Sequence, residues 1–348
     1  MTDPVFPSVI EAELRPELIK LDDGICAACF PLMKLVPAHH ILAQAREQRM
    51  IEAGSMIVES SSGSFGLALA MISRISGYKL TLVSDPVIDV RLSRRLQDLG
   101  VHLEIVTVPA PSGGFQSARL NRLAEVMNTN PGAFWPQQYD NPWHPESYRS
   151  TAEFFLRALG RIDVLVGTVG SGGSVCGIAK VLREANPRIR VVGVDTFNST
   201  LFGQRDGKRL LRGLGSSIMP RVLDHASFDE VHWISAAEAF WSTRQLHSSK
   251  ALYRGPTSGA AWMIARWVAR LNPGLRVVVL LPDQGYRYED DVYNDEWLNA
   301  NHLWKTEPQQ SPNWVLHPSE ALEPWSAIEW QRRTLESVVN VRNGAIKL

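Results

Sequence analysis

A glycine-rich loop is the strongest chemical feature of this sequence. It consists of Gly170, Ser171, Gly172, Gly173 and Ser174, and it lies between an apolar segment and a helical one. Glycines let neighbouring backbone N–H groups point at one position, and the start of the following helix adds positive potential. The loop is therefore predicted to bind a phosphate dianion, with a plain tight turn as the alternative. No lysine follows it directly and the GxGxxG spacing is absent, which argues against ATP and NAD.

A second loop, at residues 60–64, contains four serines and Gly63 and precedes another helical segment. Serine hydroxyls at the start of a helix can cap that helix. The alternative is that Ser61, Ser62, Gly63 and Ser64 bind a carboxylate through their hydroxyls and backbone N–H groups. Two anion sites in one chain favour a pair of ligands, one that carries a phosphate and one that is an amino acid.

Short apolar segments alternate with helical segments, which predicts an α/β fold with parallel sheets covered by helices on both faces. One series spans 55–106 and another spans 163–281. Two series predict two lobes, with a cleft where the carboxyl ends of the strands meet. The predicted strands are 55–59, 79–84, 101–106, 163–169, 190–195, 230–234 and 276–281. The predicted helices include 65–75, 90–99, 236–246 and 257–271.

Composition argues against several classes of protein. Lys plus Arg equals Asp plus Glu, at 36 each, so no overall field attracts nucleic acid or anionic lipid. The N-terminus lacks a signal-peptide pattern, and no run approaches the roughly 18 apolar residues that span a bilayer. Three cysteines are too few for a disulfide framework. We therefore expect a cytoplasmic protein with neither a nucleic-acid partner nor a membrane partner.

The paired cysteines and histidines are interpreted as structural. Cys26 and Cys29 form a CxxC in an apolar setting, which fits small buried side chains in a strand, while a redox pair stays open. His39 and His40 are adjacent at a predicted helix start, where their side chains diverge. Neither pair supplies the four ligands of a usual zinc site, so no metal is expected.

Several segments, taken in chain order, carry a family resemblance. They are Glu-Ser-Ser-Ser-Gly-Ser-Phe-Gly at 59–66, Gln-Gln-Tyr-Asp-Asn-Pro at 137–142, Gly-Ser-Gly-Gly-Ser at 170–174, Gly-Pro-Thr-Ser-Gly-Ala at 255–260 and Pro-Asp-Gln-Gly-Tyr-Arg-Tyr at 282–288. This order resembles the cysteine synthase and cystathionine β-synthase family of fold-type II pyridoxal-phosphate enzymes. The resemblance implies a two-lobed fold like that of the tryptophan synthase β subunit, pyridoxal 5'-phosphate as cofactor, a small amino-acid substrate and a homodimer.

The resemblance also implies a division of the chain. Residues 1–36 and 137–299 would form the larger, cofactor-binding lobe, and residues 37–136 would form the smaller lobe that carries the serine loop. Residues 300–348 are rich in tryptophan and contain one amphipathic stretch at 326–339. We expect them to form a C-terminal arm that packs on the body or on a second subunit.

Lys34 is the residue expected to hold the cofactor. The family attaches its cofactor to a lysine upstream of the serine loop, and counting back from Glu59 without a gap reaches Lys34. A lysine in an apolar run has a lowered pKa because desolvation disfavours the ammonium form, and this suits an amine nucleophile. The alternative is a lysine that snorkels from a strand edge.

The residues around the expected cofactor site depart from the family pattern. Leu35 and Val36 replace Asp-Arg after the lysine. Ser64 stands where an asparagine bonds the phenolic oxygen of the cofactor, and Phe65 replaces the threonine that follows. Gln284 stands for the serine that faces the pyridine nitrogen, and its amide N–H keeps a neutral donor there. A neutral partner suits β-elimination chemistry over transamination.

Gln137 and Arg212 bear on the substrate. The resemblance implies a substrate-binding group made of the serine loop, Phe65 and Gln137. Arg212 replaces a glutamine that is common in members that use sulfide, and in this it resembles members that accept O-phosphoserine. A guanidinium binds a phosphate dianion in bidentate fashion, whereas the alternative role for Arg212 is an ordinary surface ion pair.

The expected reaction is β-replacement on an activated serine, O-phosphoserine or O-acetylserine, to give cysteine or a related β-substituted alanine. Sulfide, another thiol or an amine would be the nucleophile. Without a bound nucleophile the same residues describe a β-eliminating lyase similar to cysteine desulfhydrase. The departures around Lys34 also leave open a non-catalytic family member that binds a ligand or a partner.

Overall fold

The computed structural model describes residues 5–304 and 307–340. These residues divide into two compact units. The first unit contains the described residues up to Arg15 together with Leu32–Tyr148, and the second contains Pro16–Pro31 and the described residues from Arg149 onward. The division predicted from the sequence also gives each lobe a function, cofactor binding for one and the serine loop for the other. That division stays a prediction.

Strands and helices alternate along most of the described chain. The strands are β1 Glu17–Asp22, β2 Ile25–Cys29, β3 Met56–Ser60, β4 Lys79–Ser84, β5 His102–Ile105, β6 Val164–Thr168, β7 Arg190–Thr196, β8 Glu230–Ile234, β9 Val277–Leu281, β10 Asn313–Trp314 and β11 Trp325–Glu329. The helices are α1 Val9–Glu13, α2 Leu35–Glu47, α3 Ser64–Ser76, α4 Val90–Asp98, α5 Gly114–Thr129, α6 Trp143–Glu146, α7 Arg149–Leu159, α8 Gly173–Ala185, α9 Ala236–Lys250, α10 Pro256–Leu271, α11 Asp295–Ala300 and α12 Leu335–Val339. None of these helices combines the length and the apolar character that a membrane span requires.

The first unit is built on a parallel three-stranded sheet in the order β3-β4-β5. α3 follows β3 and is enclosed on nearly every side, since residues 65–73 are all buried. α4 is amphipathic, and it buries only Leu92 and Leu96. Asp89 caps the start of α4 by accepting a hydrogen bond from the backbone N–H of Leu92 at 2.6 Å.

The second unit is built on an eight-stranded sheet in the order β1-β2-β9-β6-β7-β8-β11-β10. The strands from β2 to β8 in this order are parallel to one another. Every residue of β6 and β9 is buried, which is typical of strands covered on both faces. The predicted α/β fold with parallel sheets is confirmed, and all seven predicted strands occur with ends that differ by at most one residue.

The region predicted to be a C-terminal arm contributes two strands to this sheet. β11 pairs antiparallel with β8, and β10 pairs parallel with β11. Trp325 and Trp330 are fully buried, and Trp325 Nε1 donates to His232 Nδ1 at 2.9 Å. The prediction of a single amphipathic stretch at 326–339 is wrong, because β11 occupies the beginning of this segment and α12 occupies its end. Residues 305–306 and 341–348 of the predicted arm lie outside the described residues.

The CxxC pair lies in β2, as the strand interpretation predicts. Cys26 and Cys29 are three residues apart, so their side chains point to opposite faces of the sheet, and both are free thiols. Burial raises the pKa of both thiols, that of Cys29 to about 11. The opposite orientation of the two side chains and the raised pKa values of their thiols argue against a redox pair formed within the strand.

Candidate active site

Lys34 lies at the N-cap of α2 in the first unit. Its side chain is half-buried, and its Nζ lies 5.9 Å from the centroid of the Phe65 ring. Burial lowers the pKa of Lys34 to about 8, and the negative charge of Glu59 offsets part of this effect. The amine is therefore poised to lose its proton near neutral pH, which a covalent or general-base role requires.

The serine loop joins β3 to α3, with Gly63 as the N-cap residue of the helix. The Ser61 hydroxyl oxygen accepts hydrogen bonds from the backbone N–H of Gly66 at 3.0 Å and of Gly63 at 3.3 Å. The capping alternative therefore describes Ser61. Ser62 has a different partner, because its hydroxyl oxygen accepts a hydrogen bond from Arg119 Nη1 at 2.6 Å.

Arg119 is a buried cation next to the serine loop that was not among the residues predicted from the sequence. Its Nη1 also lies 3.2 Å from Asp85 Oδ2, and both side chains are about 5% exposed or less. Its Nε has no hydrogen-bond partner among the described residues. A signal was present in the sequence, because Arg119 shares the buried face of α5 with Leu123 and Val126, four and seven residues later.

Glu59 anchors the serine loop to the segment that contains Gln137. Its carboxylate accepts hydrogen bonds from the Ser60 N–H at 2.7 Å, from Trp135 Nε1 at 3.1 Å and from the Gln138 N–H at 3.3 Å. Burial nevertheless raises the pKa of Glu59 to about 7. Gln137 itself is exposed and has a left-handed φ of 56°. The structure thus brings the serine loop and the Gln137 segment together within the first unit.

The glycine loop lies in the second unit, between the end of β6 and the start of α8. Gly172 is the N-cap residue of α8 and has a φ of 85°. A Cβ at Gly172 would lie 2.6 Å from Leu223 Cδ1, and a Cβ at Gly170 would lie 3.0 Å from the Gly213 carbonyl oxygen. Because a glycine N-cap offers no side-chain acceptor, the first N–H groups of α8 suit an external anion such as a phosphate.

Arg212 and Gln284 lie in the second unit and are both exposed. Arg212 precedes Gly213, whose carbonyl oxygen is next to Gly170. The backbone N–H of Gly215 donates to the Val169 carbonyl at 2.9 Å and holds this segment beside the loop. Gln284 follows β9, which pairs in parallel with β6, so it lies at the same edge of the sheet as the glycine loop.

The predicted site residues therefore form two groups, and each group lies within one unit. Lys34, the serine loop, Phe65 and Gln137 belong to the first unit. The glycine loop, Arg212 and Gln284 belong to the second.

Comparison with known proteins decides the family. The sequence matches the family model described as "Pyridoxal-phosphate dependent enzyme" over residues 33–283. The chain belongs to this family. The predicted cofactor, pyridoxal 5'-phosphate, and the resemblance to cysteine synthase-like enzymes of fold-type II are both confirmed.

Two relatives of this pyridoxal-phosphate enzyme share one name. The chain is 38% identical over 294 residues to an N-(2-amino-2-carboxyethyl)-L-glutamate synthase from Ralstonia nicotianae, and the match covers 81% of this chain and 87% of the relative. It is 37% identical over 268 residues to a protein of the same name from Cupriavidus metallidurans, with 75% and 79% covered. Among solved structures, a hydrogen sulfide-producing enzyme from Fusobacterium nucleatum is 27% identical with a TM-score of 0.76, over 82% of this chain and all of that one.

The residues of this pyridoxal-phosphate enzyme fit the cofactor chemically. The glycine loop at the start of α8 suits the phosphate group, as its uncapped helix start indicates. Lys34 suits the aldehyde, since burial lowers the pKa of its amine to about 8.

Proposed function

We propose that this enzyme catalyses a β-replacement that joins the amino nitrogen of L-glutamate to the β-carbon of an O-activated L-serine. The observation that carries the proposal is the 38% identity to an N-(2-amino-2-carboxyethyl)-L-glutamate synthase over 87% of that protein. The product in that name is a glutamate whose nitrogen bears a three-carbon amino-acid unit. A β-replacement with an amine nucleophile, one of the three nucleophile types expected from the sequence, makes this bond.

O-phospho-L-serine is the proposed donor. Its phosphate dianion requires a cation, and Arg212 is an exposed guanidinium on the segment beside the glycine loop. In the reaction the Cβ–O bond of the donor breaks and inorganic phosphate leaves. A Cβ–N bond forms, and the attacking amine loses one proton.

The carboxylates of the amino acids require positive potential and N–H donors. The serine loop lies at the start of α3, where the helix end provides both. Arg119, whose charge is balanced by Asp85 at 3.2 Å, fixes the Ser62 hydroxyl through its 2.6 Å hydrogen bond. The anchoring of the Gln138 backbone by Glu59 keeps Gln137 beside the same loop.

Lys34 is the proposed base at the α-carbon of the donor. Its Nζ removes the α-proton before the β-substituent leaves. The lowered pKa of about 8 allows part of Lys34 to be the neutral amine near neutral pH. Pyridoxal phosphate, when bound, supplies an electron-withdrawing ring that weakens the α-carbon's C–H bond. Gln284, Ser64 and the glycine loop are proposed to hold the cofactor.

The test is product analysis with the purified enzyme, O-phospho-L-serine and L-glutamate. We expect a product with the mass of N-(2-amino-2-carboxyethyl)-L-glutamate and an equal amount of released phosphate, both absent with Lys34→Ala. Pyruvate and ammonia without the coupled product would establish the β-eliminating lyase instead. Cysteine formed only on addition of sulfide would establish a cysteine synthase, and no turnover of any donor would establish a non-catalytic family member.

A further inference from the structure

His144 is a fully buried histidine in α6 of the first unit, and the proposed reaction has not yet used it. Its Nδ1 lies 2.6 Å from the carbonyl oxygen of Gln138. A carbonyl oxygen can only accept a hydrogen bond, so Nδ1 carries the ring proton of the neutral histidine. The other nitrogen, Nε2, is therefore a bare acceptor.

Nε2 of His144 is buried and has no hydrogen-bond partner among the described residues. Buried polar atoms nearly always have a partner, and leaving one unsatisfied is unfavourable. An acceptor kept in such a position indicates a donor that arrives during function.

Lys34 is a cationic N–H donor that has the Phe65 ring as a neighbour in common with His144. The His144 ring stacks on the Phe65 ring with centroids 6.3 Å apart, and Lys34 Nζ lies 5.9 Å from the centroid of the same ring. Tyr148, whose ring is 6.3 Å from that of His144, donates its hydroxyl to the Met33 carbonyl and so holds the backbone immediately before Lys34.

The charged groups around His144 keep its imidazole neutral. Burial first, and the positive charge of Lys34 second, lower the pKa of His144 to about 3. Besides Lys34 at the start of α2, the titratable groups on α6 and on the elements around it include Glu59 at the end of β3, the Tyr148 hydroxyl, Glu146 on α6 itself, and His39 and His40 on α2, which packs against α6. The imidazole is thus an acceptor of hydrogen bonds near neutral pH and does not take up a proton.

We propose that His144 is a positioning residue whose Nε2 accepts a hydrogen bond from the ammonium form of Lys34. The inference rests on the role proposed for Lys34. When the α-carbon's C–H bond breaks and an Nζ–H bond forms, a positive charge appears on the half-buried Lys34, and a neutral acceptor stabilises it. The proton stays on Lys34, and His144 remains neutral throughout.

Two substitutions separate this role from a purely structural one. In His144→Asn the amide N–H can replace Nδ1–H and keep the hydrogen bond to the Gln138 carbonyl, but the acceptor at Nε2 is lost. In His144→Gln a polar group lies near the Nε2 position, whereas the bond made by Nδ1 is lost. A structural histidine would tolerate Asn better, and a positioning histidine would tolerate Gln better.

The first measurement is the pKa of Lys34 in the full-length chain stripped of cofactor. The chain contains eight lysines, so lysine-selective ¹⁵N labelling allows Nζ of Lys34 to be identified by its loss in Lys34→Ala. We expect His144→Asn to lower the pKa of Lys34 by about one unit, because a hydrogen bond to the charged form is lost, and His144→Gln to change it less. An unchanged pKa in His144→Asn would overturn the proposal.

Wild-type protein provides a second measurement that does not depend on how the variants fold. The ¹⁵N resonance of His144 Nε2 should shift as Lys34 titrates in the stripped chain, and an invariant resonance would overturn the proposal. In the reloaded enzyme, α-deuterated O-phosphoserine should show a larger isotope effect in His144→Asn than in His144→Gln. The opposite order would contradict it. Failure of the proposed function is distinguishable, because it appears as absence of product in wild type, whereas the titrations need no substrate.

Discussion

At the scale of residues, burial acts on the charge of Lys34 and on that of Glu59 in the same sense. It lowers the pKa of the Lys34 amine to about 8 and raises the pKa of the Glu59 carboxyl to about 7. Both shifts disfavour the charged form. Glu59 nevertheless accepts three hydrogen bonds, and two of them, from Trp135 Nε1 and the Gln138 N–H, fasten the residues on either side of Gln137 to the serine loop.

The lowered pKa of Lys34 predicts a pH-dependent stability. Between the folded value of about 8 and the ordinary value of 10.5, the unfolded chain binds more protons than the folded chain. The free energy of unfolding contributed by this group therefore rises with pH across that window. Urea unfolding of the stripped chain at both ends of the window should show that wild type gains on the order of 2 kcal/mol relative to Lys34→Met, after allowance for partial exposure. Equal pH dependence of the two proteins would show that Lys34 is well solvated.

Arg212 should govern the choice of donor. Arg212→Gln removes a guanidinium that can bind phosphate in bidentate fashion, so kcat/KM for O-phosphoserine should fall by roughly 10- to 100-fold. The value for O-acetylserine, which lacks the dianion, should change little. Arg205→Gln is the matched control, because Arg205 is another exposed arginine of the same segment. A similar loss in both variants would indicate a general effect of charge instead of a contact.

At the scale of elements, the glycine loop and α8 form the most constrained part of the second unit. The φ of 85° at Gly172 and the 2.6 Å approach of a Cβ to Leu223 exclude any side chain without rearrangement. The sequence predicted this constraint on the loop, because the glycines lie between a predicted strand and a predicted helix. The packing of Gly170 against Gly213 was not predictable, since it depends on the course of a long segment between β7 and β8.

Gly172→Ala should weaken cofactor binding. The change imposes left-handed strain of about 1 kcal/mol and a clash that moves the start of α8 away from the phosphate. We expect the dissociation constant of pyridoxal phosphate, measured by absorbance titration, to rise at least about tenfold. Gly132→Ala is the control, because Gly132 has open space at its Cβ and no left-handed φ. Equal affinities in the two variants would mean that the loop does not hold the phosphate.

The serine loop shows where reasoning from the sequence reaches its limit. The segment predicted two alternatives, and the structure assigns the capping role to Ser61 while Ser62 pairs with Arg119. Arg119 is 57 residues away in the chain, and only the packing of α5 against the sheet brings it there. A lone arginine on an otherwise apolar helix face is the pattern that would have found it.

At the scale of the whole molecule, the C-terminal region belongs to the sheet of the second unit. Periodicity alone suggested one amphipathic stretch, whereas tertiary pairing with β8 makes its first part a strand. Its tryptophans are the clue to this, because Trp325 and Trp330 fill the core beside His232 and Phe202. The homodimer implied by the family resemblance stays a prediction.

Removing residues 313–340 together with the chain beyond them should therefore destabilise the enzyme severely. Two fully buried tryptophans would be lost and the edge of β8 would be exposed, at a cost of several kcal/mol. Thermal unfolding followed by circular dichroism should show a large fall in Tm or no cooperative transition. A truncated chain that melts like the full-length protein would show that this region is a dispensable arm.

The attachment of pyridoxal phosphate to Lys34 is the claim on which the proposed chemistry depends. The direct measurement is borohydride treatment of the cofactor-loaded enzyme, followed by proteolysis and mass spectrometry of every lysine-containing peptide. We predict that the reduced cofactor is found on Lys34, with none incorporated into Lys34→Ala. Incorporation at another lysine, or a loaded enzyme that retains no cofactor after reduction, would contradict the claim.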